Sequence, residues 1–473
     1  MIKSMKKTFE SLRPSRSDRM QESLSMQESL LRHDQRMHAG PTQTTTNPGD
    51  LLLIAAREGN VALVKKLLEV GNENGKADIN FQDQYGVTAL MVASRYNHPD
   101  VITQLLEKGA NADLLNEAGL TALMVASENG HSGVVERFLE KGVDVNQTGK
   151  KGVTALIVAS QHNYPDVVTK LLANGANVDL ITVNGVTALM AASLNGHDKI
   201  VEQLLGAKAK VDLATVNGVT ALMIASENGY DKVVEQLIKA KADVNLATKP
   251  NFNRGEKTAL IMASKNGYLG IVTKLLEAGA EIDKANGDKE TALLSACMNG
   301  HYEIAKTLIG EGANKNHADS AGETALHWAC RNGHEETVRT LIKHEVNLDA
   351  KSKIGETAIA KACFMKNLKC ARILIKHGAD INGLSMIERS RLEFRNLFSR
   401  STKGGQPSIV ATTEEGESIN YNSSMLSTDA SNAQSRVPFE PETILTTSVA
   451  NTSPAASPRG TETIAAQTTR GRQ

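Results

Sequence analysis

Apolar residues in this chain come in paired short blocks set off by polar turns, and the pair returns in a fixed register along most of its length. From Gln84 to Glu117 the first block is Leu90, Met91, Val92 and Ala93, and the second is Val101, Ile102, Leu105 and Leu106. The first predicts a short, mostly buried helix whose opening turn Thr88 can cap with its hydroxyl. The second predicts a helix that starts near Pro99, where a missing N–H costs nothing, and stops at Gly109, a residue suited to the left-handed end of a helix. A polar loop closes the unit.

The same opening returns at Thr88, Thr121, Thr154, Thr187, Thr220, Thr258, Thr291, Thr324 and Thr357, each beginning a Thr-Ala-(Leu/Ile) turn. Seven of the eight intervals are 33 residues and the other is 38. A spacing held that closely implies one supersecondary unit stacked many times, because each unit can hide its apolar face only against its neighbours. A solenoid grows without enlarging its cross-section, so the repeated region counts as one unit despite its length.

These residues resemble the ankyrin repeat, whose period is 33 and whose signature runs Thr-Pro-Leu-His-x-Ala, then Gly-His, then Gly-Ala-Asp-x-Asn. Thr324-Ala-Leu-His327-Trp-Ala329 with Gly333-His334 is the nearest opening, and Gly142-Val-Asp-Val-Asn146 shows the closing half. The resemblance implies an all-α, ankyrin-repeat solenoid of helix-turn-helix units with hairpin loops: ten repeats over 50–384, the first opening at Asp50 in place of threonine. It also implies a protein partner bound at the hairpin tips and first-helix face, with no catalytic residue, metal or cofactor. Alanine replaces the family's proline throughout, and Met91, Met124, Met190 and Met223 stand where the family usually keeps histidine. Methionine packs but cannot donate, so a more adaptable stack is expected.

Irregularities gather at one place. Lys249-Pro-Asn-Phe-Asn-Arg-Gly255 enlarges the loop between repeats six and seven. The turn glycine of Gly86, Gly119, Gly152, Gly185 and Gly218 becomes Glu256 and Lys289, and the helix-ending glycine becomes Lys208 and Lys241. A seam near 249–257 is expected there, since a left-handed backbone is costlier without glycine.

Outside the repeats, 1–49 reads as a flexible basic arm, with eight Lys or Arg against five Asp or Glu, Pro41 to Pro48 serving as linker. Arg13-Pro-Ser15-Arg-Ser17 has the form of a basic phosphorylation site. Over 385–400, Ile387, Leu392, Phe394, Leu397 and Phe398 among alternating charges predict a short amphipathic helix that either covers the end of repeat ten or docks a partner. The Ser/Thr-rich stretch 401–473 is expected to be a disordered tail.

Lysine plus arginine equal aspartate plus glutamate at 53 each, which supplies no global field for nucleic acid or an acidic membrane. No apolar run approaches the roughly 20 residues of a membrane span, and no hydrophobic signal segment opens the chain. A cytoplasmic monomer acting as scaffold or adaptor is the leading expectation. The alternative is a translocated bacterial effector delivered into a host cell, which the polar Ser/Thr tail permits.

Chemical constellations dissolve into the period. Cys297, Cys330 and Cys363 occupy one register position, filled by Ser94, Ser127, Ser160, Ser193, Ser226 and Ser264 elsewhere. Equivalent atoms of stacked helices lie about 10 Å apart, beyond the roughly 7 Å of a disulfide's Cα atoms, so these thiols and Cys370 read as core. His98, His131, His197, His301 and His334 share one position with Tyr164, Tyr230 and Tyr268, too widely spaced to chelate a metal, and read as turn residues. No Walker loop, Gly-x-Ser-x-Gly elbow, His-Glu-x-x-His or Cys-x-x-Cys is present. Asp283-Lys-Ala-Asn286-Gly-Asp288 lacks the acidic closing position of a calcium loop.

The residue before each threonine is Val87, Leu120, Val153, Val186 and Val219 in repeats two to six, then Lys257, Glu290, Glu323 and Glu356. Two readings stand: valine suits an extended loop, or five aliphatic residues form an exposed row that marks an interaction site. Beside it lie Arg95, Tyr96, Glu128, Asn129, Gln161, His162, Leu194 and Asn195. Tyr96 and His162 interrupt a column of asparagine and, with Phe252 on the enlarged loop, are the expected anchors. A partner polypeptide would lie along repeats two to six.

Overall fold

A computed structural model describes residues 46–250 and 255–385, and the backbone of Phe398–Arg400, Ile409–Thr412 and Ser418–Tyr421. Ten helix pairs follow one another from Pro48–Arg57 to Leu368–Lys376. First helices stack on first helices and second on second, so every repeat touches the one before and the one after.

Burial explains why the two helices of a unit differ. In Ala188–Asn195 six consecutive residues from Ala188 to Ser193 are buried, because this helix has neighbours on both sides and a second helix behind it. Its partner Asp198–Gly206 buries one stripe, Ile200, Val201 and Leu204. Burying a leucine such as Leu204 contributes about 2 kcal/mol, and the pattern recurs through the stack.

Threonine starts the first helices as its position implies. Thr88 Oγ1 accepts from the Met91 N–H at 3.3 Å, and seven further threonines do the same for the residue three places on. In repeat nine the cap is reciprocal: the Thr324 side chain accepts from the His327 N–H, and the Thr324 N–H donates to His327 Nδ1 at 3.2 Å. The first repeat opens two residues earlier than Asp50. Its helix begins at Pro48, whose φ is preset for helix, and Asn47 caps it by accepting from the Gly49 N–H at 2.8 Å.

The histidine and tyrosine ladder ties successive repeats together. His98, His131, His197, His301 and His334 each donate from Nε2 to a carbonyl at the end of the preceding repeat's first helix, at 2.9–3.1 Å. Tyr164, Tyr230 and Tyr268 lie over Gly130, Gly196 and Gly229 of the preceding repeat. These residues do more than make a turn: each roofs the left-handed helix end before it.

Loops are linked mainly through backbone. Glu117, Lys150, Val183, Val216 and Lys249 each donate their N–H to a carbonyl at the preceding hairpin tip, namely Tyr85, Gly119, Lys151, Asn184 and Asn217, at 2.8–3.0 Å. This lattice needs no histidine, so the methionines leave it intact. The enlarged loop does not interrupt the helices: Asn266 Nδ2 donates to Glu227 O at 3.1 Å, and Lys274 pairs with Asp231 across the expected seam. Lys208 and Lys241 do adopt the left-handed conformation, with φ +62° and +64°. At the corresponding Gly109, Gly142 and Gly175 an added Cβ would meet nothing within 4 Å, so lysine bears only the backbone cost.

Three short strands are described within the tail. Phe398–Arg400, at the end of the expected helix 385–400, is a strand paired antiparallel with Ile409–Thr412, which pairs in turn with Ser418–Tyr421. The latter two fall within 401–473. The remaining residues of 386–408, and the arm 1–45, lie outside the described residues.

Candidate binding face

Contacts in repeats eight to ten define one face of the rod. Ser295, four residues after its threonine, donates to Glu290 Oε1 at 2.6 Å. Lys361 pairs with Glu323 at 2.8 Å and with Glu356. Arg331 sits 3.5 Å from Glu323 and stacks 4.9 Å over the Trp328 ring, whose Nε1 donates to Asp319 at 2.9 Å. The residue before each threonine and those four and seven after it therefore share a face with the hairpin tip.

On that face the expected aliphatic row is not exposed. Val87 and Leu120 are only 6% and 1% accessible, and Val153, Val186 and Val219 are half-buried. The turn folds them inward. Asp83 Oδ1 accepts from the Val87 N–H, Asn116 Oδ1 from Leu120, Thr182 Oγ1 from Val186 and Thr215 Oγ1 from Val219, at 2.8–3.1 Å. The valines are wall, as the loop reading has it, and the change to charge beyond repeat six is a change of wall chemistry. Aliphatic residues before the threonine go with Val92, Val125, Val158, Ala191 and Ile224 four places after it, whereas Glu290, Glu323 and Glu356 go with Ser295, Trp328 and Lys361.

Other expected site residues are placed as follows. Tyr96 is half-buried beneath Arg57, whose guanidinium lies 5.5 Å from the ring centre. Arg95, Glu128 and His162 are half-buried. Burial raises the Glu128 carboxyl above its ordinary range despite the attraction of Arg95, and burial, then the charge of His197, lowers His162. Leu194 is 48% exposed. Phe252 lies outside the described residues.

Exposed apolar residues that sequence reasoning passed over complete the face. Val183 and Val216, four before their threonines at successive hairpin tips, are 64% and 52% accessible, and Ile181 beside them is 52%. Repeat five is apolar at all four inner positions: Val183, Val186, Ala191 and Leu194. No other threonine-led repeat is: the tip position elsewhere holds Gln84, Glu117, Lys150, Arg254, Gly287, Ser320 or Lys353, and repeat six, led by Val216, turns to Glu227 at the last. The signal was legible in the near-identity of Thr182–Met190 and Thr215–Met223, both of which place valine at the tip.

The four cysteines are buried, and burial pushes the Cys297 and Cys330 thiols well up and Cys370 to about 11, which leaves them un-ionised. Among the described residues no three His, Cys, Asp or Glu gather as a metal site, and no helix is long and apolar enough to cross a membrane.

A family model described as ankyrin repeats (3 copies) matches residues 21–116, 52–149, 108–182, 156–248, 247–319 and 293–384. Ankyrin repeat domain-containing protein 29 of Danio rerio is 43% identical over 63 residues, 13% of this chain and 20% of that protein. Ankyrin repeat domain-containing protein SAT10 of Stachybotrys chartarum is 43% identical over 74 residues, 16% of this chain and 4% of that protein. Glycerophosphocholine phosphodiesterase GDE1 of Candida albicans is 39% identical over 74 residues, 15% and 6%. The matched stretches span a fifth or less of these relatives.

Proposed function

Because the chain belongs to the ankyrin-repeat family, matched along 21–384, we propose that it is a non-enzymatic adaptor that holds a partner polypeptide against the tips and first helices of repeats five and six. Ankyrin repeats are in general protein-interaction modules. One observation carries the placement: repeat five alone is apolar across the whole face, with Val183 and Leu194 exposed at its two ends. Exposed apolar residues in register mark an interaction surface; Ile354 and Phe364 of repeat ten are exposed too, but the wall between them is Glu356 and Lys361. Two different walls, aliphatic toward the first repeats and ion-paired toward the last, let one rod hold partners of different chemistry.

The test uses the full chain as bait, unsubstituted and as Val183→Asp/Leu194→Asp. The doubly substituted protein is expected to melt at the same temperature and to lose the partners captured by the unsubstituted one. Capture of an identical set would remove repeat five from the binding site.

A further inference from the structure

Within the protein-binding reading just given, we infer that repeats four to seven take an extended peptide segment with aliphatic residues at its centre and acidic residues at both ends. The backbone bonds between hairpins set the tips in one row, running Lys150 and Lys151, then Val183, then Val216, then Lys249. The lysines at both ends are exposed. Lys151 and Lys249 carry no ion pair among the described residues, unlike Lys141 or Lys170 on the second helices, which meet Glu107 and Glu136. The row is therefore aliphatic in the middle and cationic at either end.

Size and shape narrow the occupant. Three repeat steps of about 10 Å separate the lysines, a span of about 30 Å that about nine residues of extended chain would cover at about 3.3 Å each. In repeat five the wall residue is the buried Ala191 where its neighbours carry Val158 and Ile224, and the smaller side chain would give one aliphatic group of the peptide a shallow hollow. Acidic groups at the peptide's ends would meet the lysines, and a basic segment would be repelled by them.

A library of displayed random peptides, panned on the full chain, reads this directly. Enriched peptides are expected to carry an aliphatic centre with Asp or Glu on both sides. They are expected to bind at least tenfold more weakly to Ala191→Trp, which fills the hollow, and to Lys151→Glu/Lys249→Glu. Trp328 occupies this position in repeat nine, and an unchanged melting temperature of each variant checks the fold. Enriched peptides that are basic, or that bind both variants undiminished, would overturn the inference while leaving a protein-binding face elsewhere on the rod. No enrichment at all would sink both.

Discussion

The ring of Tyr230 lies so close over Gly196 that a Cβ on residue 196 would stand 2.5 Å from its Cδ1. Gly196 also has φ +71°. Glycine is thus required twice, once by its own backbone and once by the aromatic ring of the next repeat.

Gly196→Ala should cost about 1 kcal/mol for the left-handed backbone and about 1–3 kcal/mol more for the crowding. Gly175→Ala is the control. It has φ +84° and nothing within 4 Å of an added Cβ, so only the backbone cost applies. Urea denaturation of both should give a clearly lower midpoint for residue 196, and equal midpoints would show that the ring does not bear on it.

A second prediction concerns the small residue six places after each threonine. Ser226 Oγ is buried without a hydrogen-bond partner, as are the hydroxyls of Ser94, Ser160, Ser193 and Ser264, whereas Ser127 Oγ donates to Leu123 O at 2.8 Å. An unmade buried hydrogen bond is costly and a made one contributes about 1 kcal/mol. Ser226→Ala should therefore leave stability unchanged or raise it, and Ser127→Ala should lower it by about 1 kcal/mol. The cysteines at 297, 330 and 363 are the natural version of the first change. Chemical denaturation that ranks the two variants the other way would refute the distinction.

The stack, its caps and its core were legible because they depend on local spacing: Thr88 and Pro99 start helices wherever they stand in the period. Which loop residues face solvent was not. Val87, one residue before its threonine, is folded inward by the turn that Asp83 closes, whereas Val183, four before its own, stands at the hairpin tip, a difference of place within the loop that apolar character alone does not reveal. The ladder of His98 and Tyr230 was visible as a ladder, but its work lies between repeats, on a carbonyl or a glycine some 34–41 residues away. The ribbon at Ile409–Thr412 escaped notice because short strands among serines and threonines carry little periodic signal.

Lys361 supplies a third test. It is nearly buried between Glu323 and Glu356; burial alone would lower its pKa, and the hydrogen bonds to the two carboxylates more than offset that, leaving it above the ordinary lysine value. Removing the lysine leaves Glu323 with Arg331 alone and takes the partner from the partly exposed Glu356, so Lys361→Ile should cost about 1–3 kcal/mol. The chain already contains an apolar equivalent, Val219 with Ile224. Glu323→Val/Glu356→Val/Lys361→Ile should recover most of the loss, since replacing a whole buried ion cluster is often neutral. A triple variant as unstable as the single one would mean that the ion network itself is indispensable.

His327 makes stability depend on pH in a definite direction. Its Nδ1 accepts from the Thr324 N–H and its Nε2–H donates to Glu356 O at 3.0 Å, an arrangement that requires the neutral ring. Burial lowers its pKa from 6.5, more than the Glu356 carbonyl and the Glu323 carboxylate raise it. The unfolded chain therefore takes the proton first, and protons favour the unfolded state. The stabilising contribution is complete above 6.5 and is lost as pH falls below that value toward the lower folded pKa. His327→Met, which installs the residue found at this position in repeats two, three, five and six, removes the group. In denaturant titrations across that range the unsubstituted chain should lose stability relative to His327→Met as pH drops. Parallel pH profiles would show that the histidine is protonated as easily in the folded rod as in the unfolded chain.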